Sequence, residues 1–177
     1  MTLRELHSVS IHHQKEHSCG GLPYAYGDIL TSLVSATLPI RILEVGTGLG
    51  YTAACLAMGS SNTFVETIDQ DATHLAKARD YWELLGITHK IDDHEGKAED
   101  ILPTLSSVYD FIFFDGYVPQ MKMLSHFERL LRKNGMLVTA NLYLRDTTGG
   151  KYMKALLNTR SWQTGVFADT AISVKLQ

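Results

Sequence analysis

Residues 40 to 52 read I-R-I-L-E-V-G-T-G-L-G-Y-T, and the change of character within this stretch constrains the chain more than any other. Ile40, Ile42, Leu43 and Val45 form a short branched, apolar run suited to a strand buried on both faces, and it breaks at once into Gly46, Gly48 and Gly50. Glycine enters backbone conformations closed to other residues and keeps side chains clear, so a ligand can lie against the chain where the next helix begins. That helix, Thr52 to Met58, is small and apolar enough to pack on a sheet. The next β-rich run, Thr63 to Ile68, ends in Asp69, where an acid at the tip of a second strand meets ribose hydroxyls.

Several nucleotide folds open with a strand, a glycine turn and a helix. A dinucleotide fingerprint wants G-x-G-x-x-G, whereas here the glycines run G-x-G-x-G and the sixth place is Tyr51. No Walker lysine follows, and no second glycine-rich half is present, which disfavours a nicotinamide dehydrogenase. The pattern fits S-adenosylmethionine, whose adenosine needs the acid and whose methionine end needs no diphosphate cradle.

A chain of 177 residues, 45% hydrophobic and 20% charged, suits one domain, taken as residues 24–177 behind an N-terminal arm or lid over residues 1–23. With a net charge of -3 and scattered lysines and arginines, no basic face is offered to nucleic acid, so the expected partner is a small-molecule acceptor. No run approaches the ~18 apolar residues of a membrane span, and the N-terminus carries histidines and charges where a signal peptide has an apolar core. Two cysteines, Cys19 and Cys55, make no disulfide framework. The expectation is a cytoplasmic protein without a membrane partner; a homodimer is compatible with it. In the arm, His7, His12, His13 and His17 precede Cys19, and His13 and His17 would share a face of a helix. Zinc ligands are held by a rigid scaffold, and the arm shows none, so no metal is assigned. The arm is read as mobile, closing over the acceptor, and its removal is expected to alter acceptor kinetics while sparing cofactor affinity.

Ile29, Leu30, Leu33 and Val34 recur at helical spacing from Tyr26 to Thr37. Leu75, Ala78, Trp82 and Leu85 mark another helix ending near Gly86, with Trp82 read as core. Residues 87–95 form a poor strand by composition, and Ala98 to Leu105 a short helix. Asp110 to Phe114 is a second strong buried strand, ending in Asp115, so that Asp69 and Asp115 face one crevice with the glycine turn. Met121, Leu124, Phe127 and Leu131 predict a helix stopped by Lys133-Asn134-Gly135, followed by a strand over 136–140 that ends at Asn141. Thr148-Gly149-Gly150 reads as a loop and 151–159 as a helix. Two short strands, 165–168 and 171–176, are joined through Asp169-Thr170.

Taken together, LEVGTGLGYTA at 43–53, TIDQD at 67–71, FIFFDG at 111–116 and LLRKNGMLVTAN at 130–141 resemble the class I methyltransferases, and most of all the small catechol-type O-methyltransferases. The resemblance implies a Rossmann-like, doubly wound seven-stranded α/β sheet, mostly parallel with an antiparallel last strand. It also implies that S-adenosylmethionine is held by Glu44, Gly46, Thr47, Gly48, Tyr51 and Thr52, by Asp69 and Gln70 at the ribose, by Lys97 and Ala98 near the adenine, and by Asp115 near the methionine amine.

Three positions depart from the family. Where its metal-dependent branch has a lysine three places after the strand-four aspartate, this chain has Val118; where that branch completes a magnesium site with Asp-Asn, this chain has Ala140-Asn141; and the acid of G-D-A is Lys97. One carboxylate ligand is missing, and unless Asp146 or a histidine reaches in, turnover is expected to need no magnesium and to survive chelation. Candidates for the catalytic base are His12, His13, His126, Lys122 and Tyr117. The leading expectation is methyl transfer at oxygen; a nitrogen acceptor, or a cofactor-binding protein without catalysis that acts through partners, is the alternative.

Overall fold

In the computed structural model, which describes residues 1–19, 22–143 and 149–177, seven strands form one sheet in the order β3-β2-β1-β4-β5-β7-β6. These are β1 (Arg41–Val45), β2 (Phe64–Asp69), β3 (Ile91–Glu95), β4 (Tyr109–Phe114), β5 (Leu131–Thr139), β6 (Trp162–Phe167) and β7 (Thr170–Lys175). The ladders through β5 are parallel, while β7 runs antiparallel to both β5 and β6. This is the expected Rossmann-like sheet with its antiparallel last strand. The order turns round between β1 and β4, and an open parallel sheet leaves a crevice beyond the strand tips at that place.

Among the described residues, seven α-helices flank the sheet: α1 (Leu3–His17), α2 (Gly27–Thr37), α3 (Tyr51–Met58), α4 (Ala72–Leu85), α5 (Ala98–Ile101), α6 (Met121–Leu130) and α7 (Gly149–Leu156). Leu30, Val34, Ala53, Leu56, Ala78 and Trp82 pack with Ile42, Phe111 and Val138 on one side. Leu43, Ile112 and Phe114 meet Leu124, Phe127 and Tyr152 on the other. The central strands β1 and β4 are therefore buried on both faces, as parallel strands covered on both sides require.

The stretch expected as a mobile polar arm is largely helix. Thr2 and Glu5 form a capping box, the Thr2 hydroxyl accepting from the Glu5 N–H and the Glu5 carboxylate accepting from the Thr2 N–H. Behind it Leu6 is 0% exposed within the core, and His7 lies against the Tyr51 ring at 4.6 Å between centroids. The sequence signal was the T-x-x-E pattern at residues 2–5. Thr2→Ala is expected to destabilise the protein by about 1 kcal/mol, read by thermal melting, with unfolding still a single transition.

Other departures are local. Ile40, read as part of the buried strand, is 65% exposed; it lies at the sheet's amino edge, where its N–H is held by the Asp110 carboxylate at 2.9 Å. Helix α6 stops at Leu130 rather than beyond Leu131, because Leu131 is buried and pairs with Tyr109, and the ladder then skips to Met136 opposite Phe111. Lys133 to Gly135 thus lie within the span of β5. The segment after Ala98 is one α-turn followed by a 3-10 turn over Leu102–Thr104, where Pro103 removes an N–H. Gly149 and Gly150 begin α7 rather than closing a loop; Thr148, like Asp146, lies outside the described residues. The β6–β7 turn is Ala168-Asp169, one residue earlier than expected, with Ala168 at φ 50°.

Candidate active site

A cavity of about 410 Å³ opens at the carboxyl ends of β1, β2 and β4, a size suited to a small-molecule ligand. Its floor is the glycine turn. Gly46 has φ 101°, and a Cβ there would come within 2.5 Å of the Asp115 carbonyl oxygen, so only glycine lets β1 and β4 end this close together. At Gly50, φ is 81°, and a Cβ would strike Trp82, whose indole Nε1–H donates to the Gly50 carbonyl at 3.0 Å. Trp82 is thus buried core, as expected, and it also braces the turn.

Asp69 stands at the tip of β2 with its carboxylate fixed before any ligand arrives: Oδ2 accepts from the Gly48 N–H at 2.8 Å and Oδ1 from the Asp71 N–H at 2.9 Å. Each oxygen keeps a further lone pair for a diol. Asp71 in turn caps α4, taking the N–H groups of Thr73 and His74 on Oδ1. Opposite, Asp115 accepts from Asn141 Nδ2 at 2.8 Å, and Asn141 holds a left-handed backbone, φ 61°, at the tip of β5. Burial, then the charges of Glu44 and Asp169, push the Asp115 carboxyl well above the usual carboxylate range, against the Asn141 bond.

Glu44, expected at the cofactor, does not line this cavity. It lies wholly buried beneath the turn, where the Thr67 hydroxyl donates to Oε2 at 2.5 Å and Thr47 meets Thr67 at 2.6 Å; among the described residues Oε1 has no hydrogen-bond partner. Burial pushes its carboxyl up to about 8, opposed by the hydroxyls of Thr52 and Thr67. Two carboxyl groups therefore sit at or under the floor of one cavity with no cationic side chain hydrogen-bonded to either among the described residues. Such an arrangement favours a cationic ligand.

The other expected cofactor residues, Gly46, Thr47, Gly48, Tyr51, Thr52, Asp69, Gln70, Lys97, Ala98 and Asp115, all line the cavity. Of the candidate bases, His13 and Tyr117 line it, and Gln70 donates its amide to the Tyr117 hydroxyl at 2.7 Å. Lys122 and His126 lie on α6 and are not among the lining residues; His12 pairs with Glu16 on the solvent face of α1. Sequence reasoning missed Ser10, Cys19, Tyr24 and His74. Tyr24 meets the Thr170 hydroxyl at 3.0 Å, tying the stretch before α2 to β7, and nothing in its local sequence announces that contact across the whole chain.

At the position that would carry a second carboxylate beside Asp115 stands Ala140, buried and apolar, while Asn141 donates to Asp115 and the Asp169 charge lies near enough to act on it.

The profile of a family described as O-methyltransferase matches residues 1–147. Among curated proteins, the catechol O-methyltransferase of Niastella koreensis is 28% identical over 161 residues, covering 85% of this chain and 72% of its own length. The O-methyltransferase hkm8 of Aspergillus hancockii is 31% identical over 122 residues, covering 66% of this chain but 48% of its own length, so the chain spans only about half of that relative. Among solved structures, the O-methyltransferase TomG of Streptomyces achromogenes, in complex with S-adenosylmethionine, superposes with a TM-score of 0.83 at 23% identity over 98% of this chain and 90% of that one, a likeness of fold.

Proposed function

The chain belongs to the S-adenosylmethionine-dependent O-methyltransferase family, and from that premise we propose that it moves a methyl group from S-adenosylmethionine to a hydroxyl oxygen of a small acceptor without a magnesium ion at Asp115. The observation that carries this reading is the pre-set Asp69 carboxylate facing Asp115 across a glycine-floored cavity. Asp69 accepts from the ribose hydroxyls. Asp115, with Glu44 behind it, balances the positive charge of the methionine end. Lys97 and Ala98 flank the adenine side. When bound, the cofactor supplies an electrophilic methyl on a sulfonium sulfur. The protein's work is then to align an acceptor oxygen in line with that methyl and to accept its proton, for which Tyr117 and His13 are the groups at the cavity. The proton affinity of His13 is lowered from its ordinary value, first by burial and then by the charges of His17, His74 and Lys77, against that of Glu16, which favours a neutral ring.

Calorimetry with S-adenosylmethionine or its demethylated product tests the reading: heat and a thermal shift are expected, and their absence with both ligands would refute it. A panel of phenols, catechols and amines then decides between oxygen and nitrogen acceptors. Binding without turnover on any of them would favour the second reading, a cofactor-binding protein without catalysis, which Val118 and Ala140 support. With an acceptor in hand, magnesium added back to chelated protein is expected to leave kcat unchanged; recovery of lost activity by magnesium would mean that another residue replaces the missing carboxylate.

A further inference from the structure

His13 Nε2 and His74 Nε2 lie 3.3 Å apart although the residues are 61 positions apart in the chain, and Cys19 Sγ completes a group whose ligand atoms all fall within 4.8 Å of one another. Two nitrogens at that separation, each ~2.05 Å from a shared ion, would subtend about 107° at it, close to the tetrahedral angle. Imidazole and thiolate together suit a borderline-soft ion and disfavour magnesium or calcium. The side chains are also supported. Asp71 places Oδ2 3.6 Å from His74 Nδ1, so its carboxylate flanks the ring on the side away from Nε2. His13 packs against His17 with ring centroids 4.4 Å apart and the rings tilted by 41°. Asp71 and Glu16 lie near enough to the two imidazoles to act against the charge of Lys77.

We propose that His13, Cys19 and His74 bind a divalent ion of the zinc class, which clips α1 and Cys19, two residues past its end, to the first turn of α4 at the wall of the cavity. Three protein ligands leave a fourth position for water or another donor. All three residues line the cavity assigned above to the cofactor, so the ion fixes the N-terminal helix beside it. A zinc-bound His13 cannot accept a proton at Nε2, which leaves Tyr117 as the base in the loaded protein. This inference adds to the proposed function but is testable without it, since no cofactor or acceptor is needed.

The experiment is a titration of the reduced, metal-stripped full chain with Co²⁺, followed by Zn²⁺. One equivalent of cobalt should produce a thiolate-to-metal charge-transfer band, and zinc should displace it. Cys19→Ser should abolish the band, His13→Gln and His74→Gln should each weaken zinc binding by more than about tenfold, and Asp71→Asn, a positioning change, by about tenfold. His89→Gln, at an exposed histidine, should bind like the wild type. Zinc should also raise the melting temperature of the wild type and not of Cys19→Ser. No charge-transfer band in the wild type, or undiminished zinc binding in the His13 and His74 variants, would overturn the site. Because chelation empties this site too, restoration by zinc and not by magnesium separates it from an ion at Asp115.

Discussion

Without cofactor, the protein should lose stability as pH rises from about 4.5 to about 8, and Glu44→Gln should flatten that slope. The sign follows from the proton count. In the unfolded chain the Glu44 carboxyl titrates near 4.5, while in the folded protein burial holds its proton up to about 8. Between those values the folded state binds more protons than the unfolded state, so stability is fully present below the lower value and is lost as pH rises through the upper one. At about 1.4 kcal/mol for each of the roughly 3.5 pH units separating the two values, the loss is on the order of 5 kcal/mol. Asp115 is shifted in the same direction by burial and by the Glu44 charge, so the two carboxyls act together. The amide introduced by Glu44→Gln keeps the shape and an oxygen for the Thr67 hydroxyl but has no charge to bury. Denaturant unfolding at pH 5 and pH 8 measures this; an equal slope in wild type and Glu44→Gln would show that Glu44 is ionised throughout. The cofactor's ammonium supplies the missing counter-charge. Binding near pH 7 should therefore release protons, seen as a calorimetric heat that varies with the buffer's ionisation enthalpy, and Glu44→Gln should reduce that release.

Asp69→Ala is expected to weaken cofactor binding by about 1.5–3 kcal/mol, roughly tenfold to 150-fold in Kd. The loss has two parts. Charge-assisted bonds to the ribose disappear, and the N–H groups of Gly48 and Asp71, which Asp69 now accepts from, lose their acceptor, so the turn itself loosens. Asp69→Asn keeps an oxygen for one of those N–H groups and should fall between the wild type and Asp69→Ala. Unaltered affinity in Asp69→Ala would mean that the ribose does not lie at the tip of β2.

The sheet was legible in the sequence because its signals are local. The runs at 42–45 and 111–114 are mainly apolar and 64–68 is rich in β-formers, each over a few residues, as doubly covered parallel strands require. The glycine turn was legible for a similar reason: G-x-G-x-G before a small apolar helix leaves few backbone paths, and Asp69 follows at a spacing that one strand–helix–strand unit fixes. Boundaries were less legible. Leu131 suits a helix face or a strand, and its pairing with Tyr109, set by a distant strand, decides between them.

What the sequence alone determined is therefore the fold class, the acids at the strand tips and the kind of cofactor they could hold. Tertiary structure alone decided that Glu44 lies under the turn rather than in the cavity, because which face of β1 meets the threonines of β2 and the turn depends on the register between strands. It also decided that α1 belongs to the core and that His13 meets His74, not only His17. Leu6 in the core, Leu3 packed against it and the cap at Thr2 anchor a helix whose other residues are mostly polar, and burial this sparse leaves only a weak hydrophobic periodicity. Contacts made across 61 residues, or between Tyr24 and Thr170 across most of the chain, leave no local pattern, since they arise from how the elements pack rather than from what any one segment prefers.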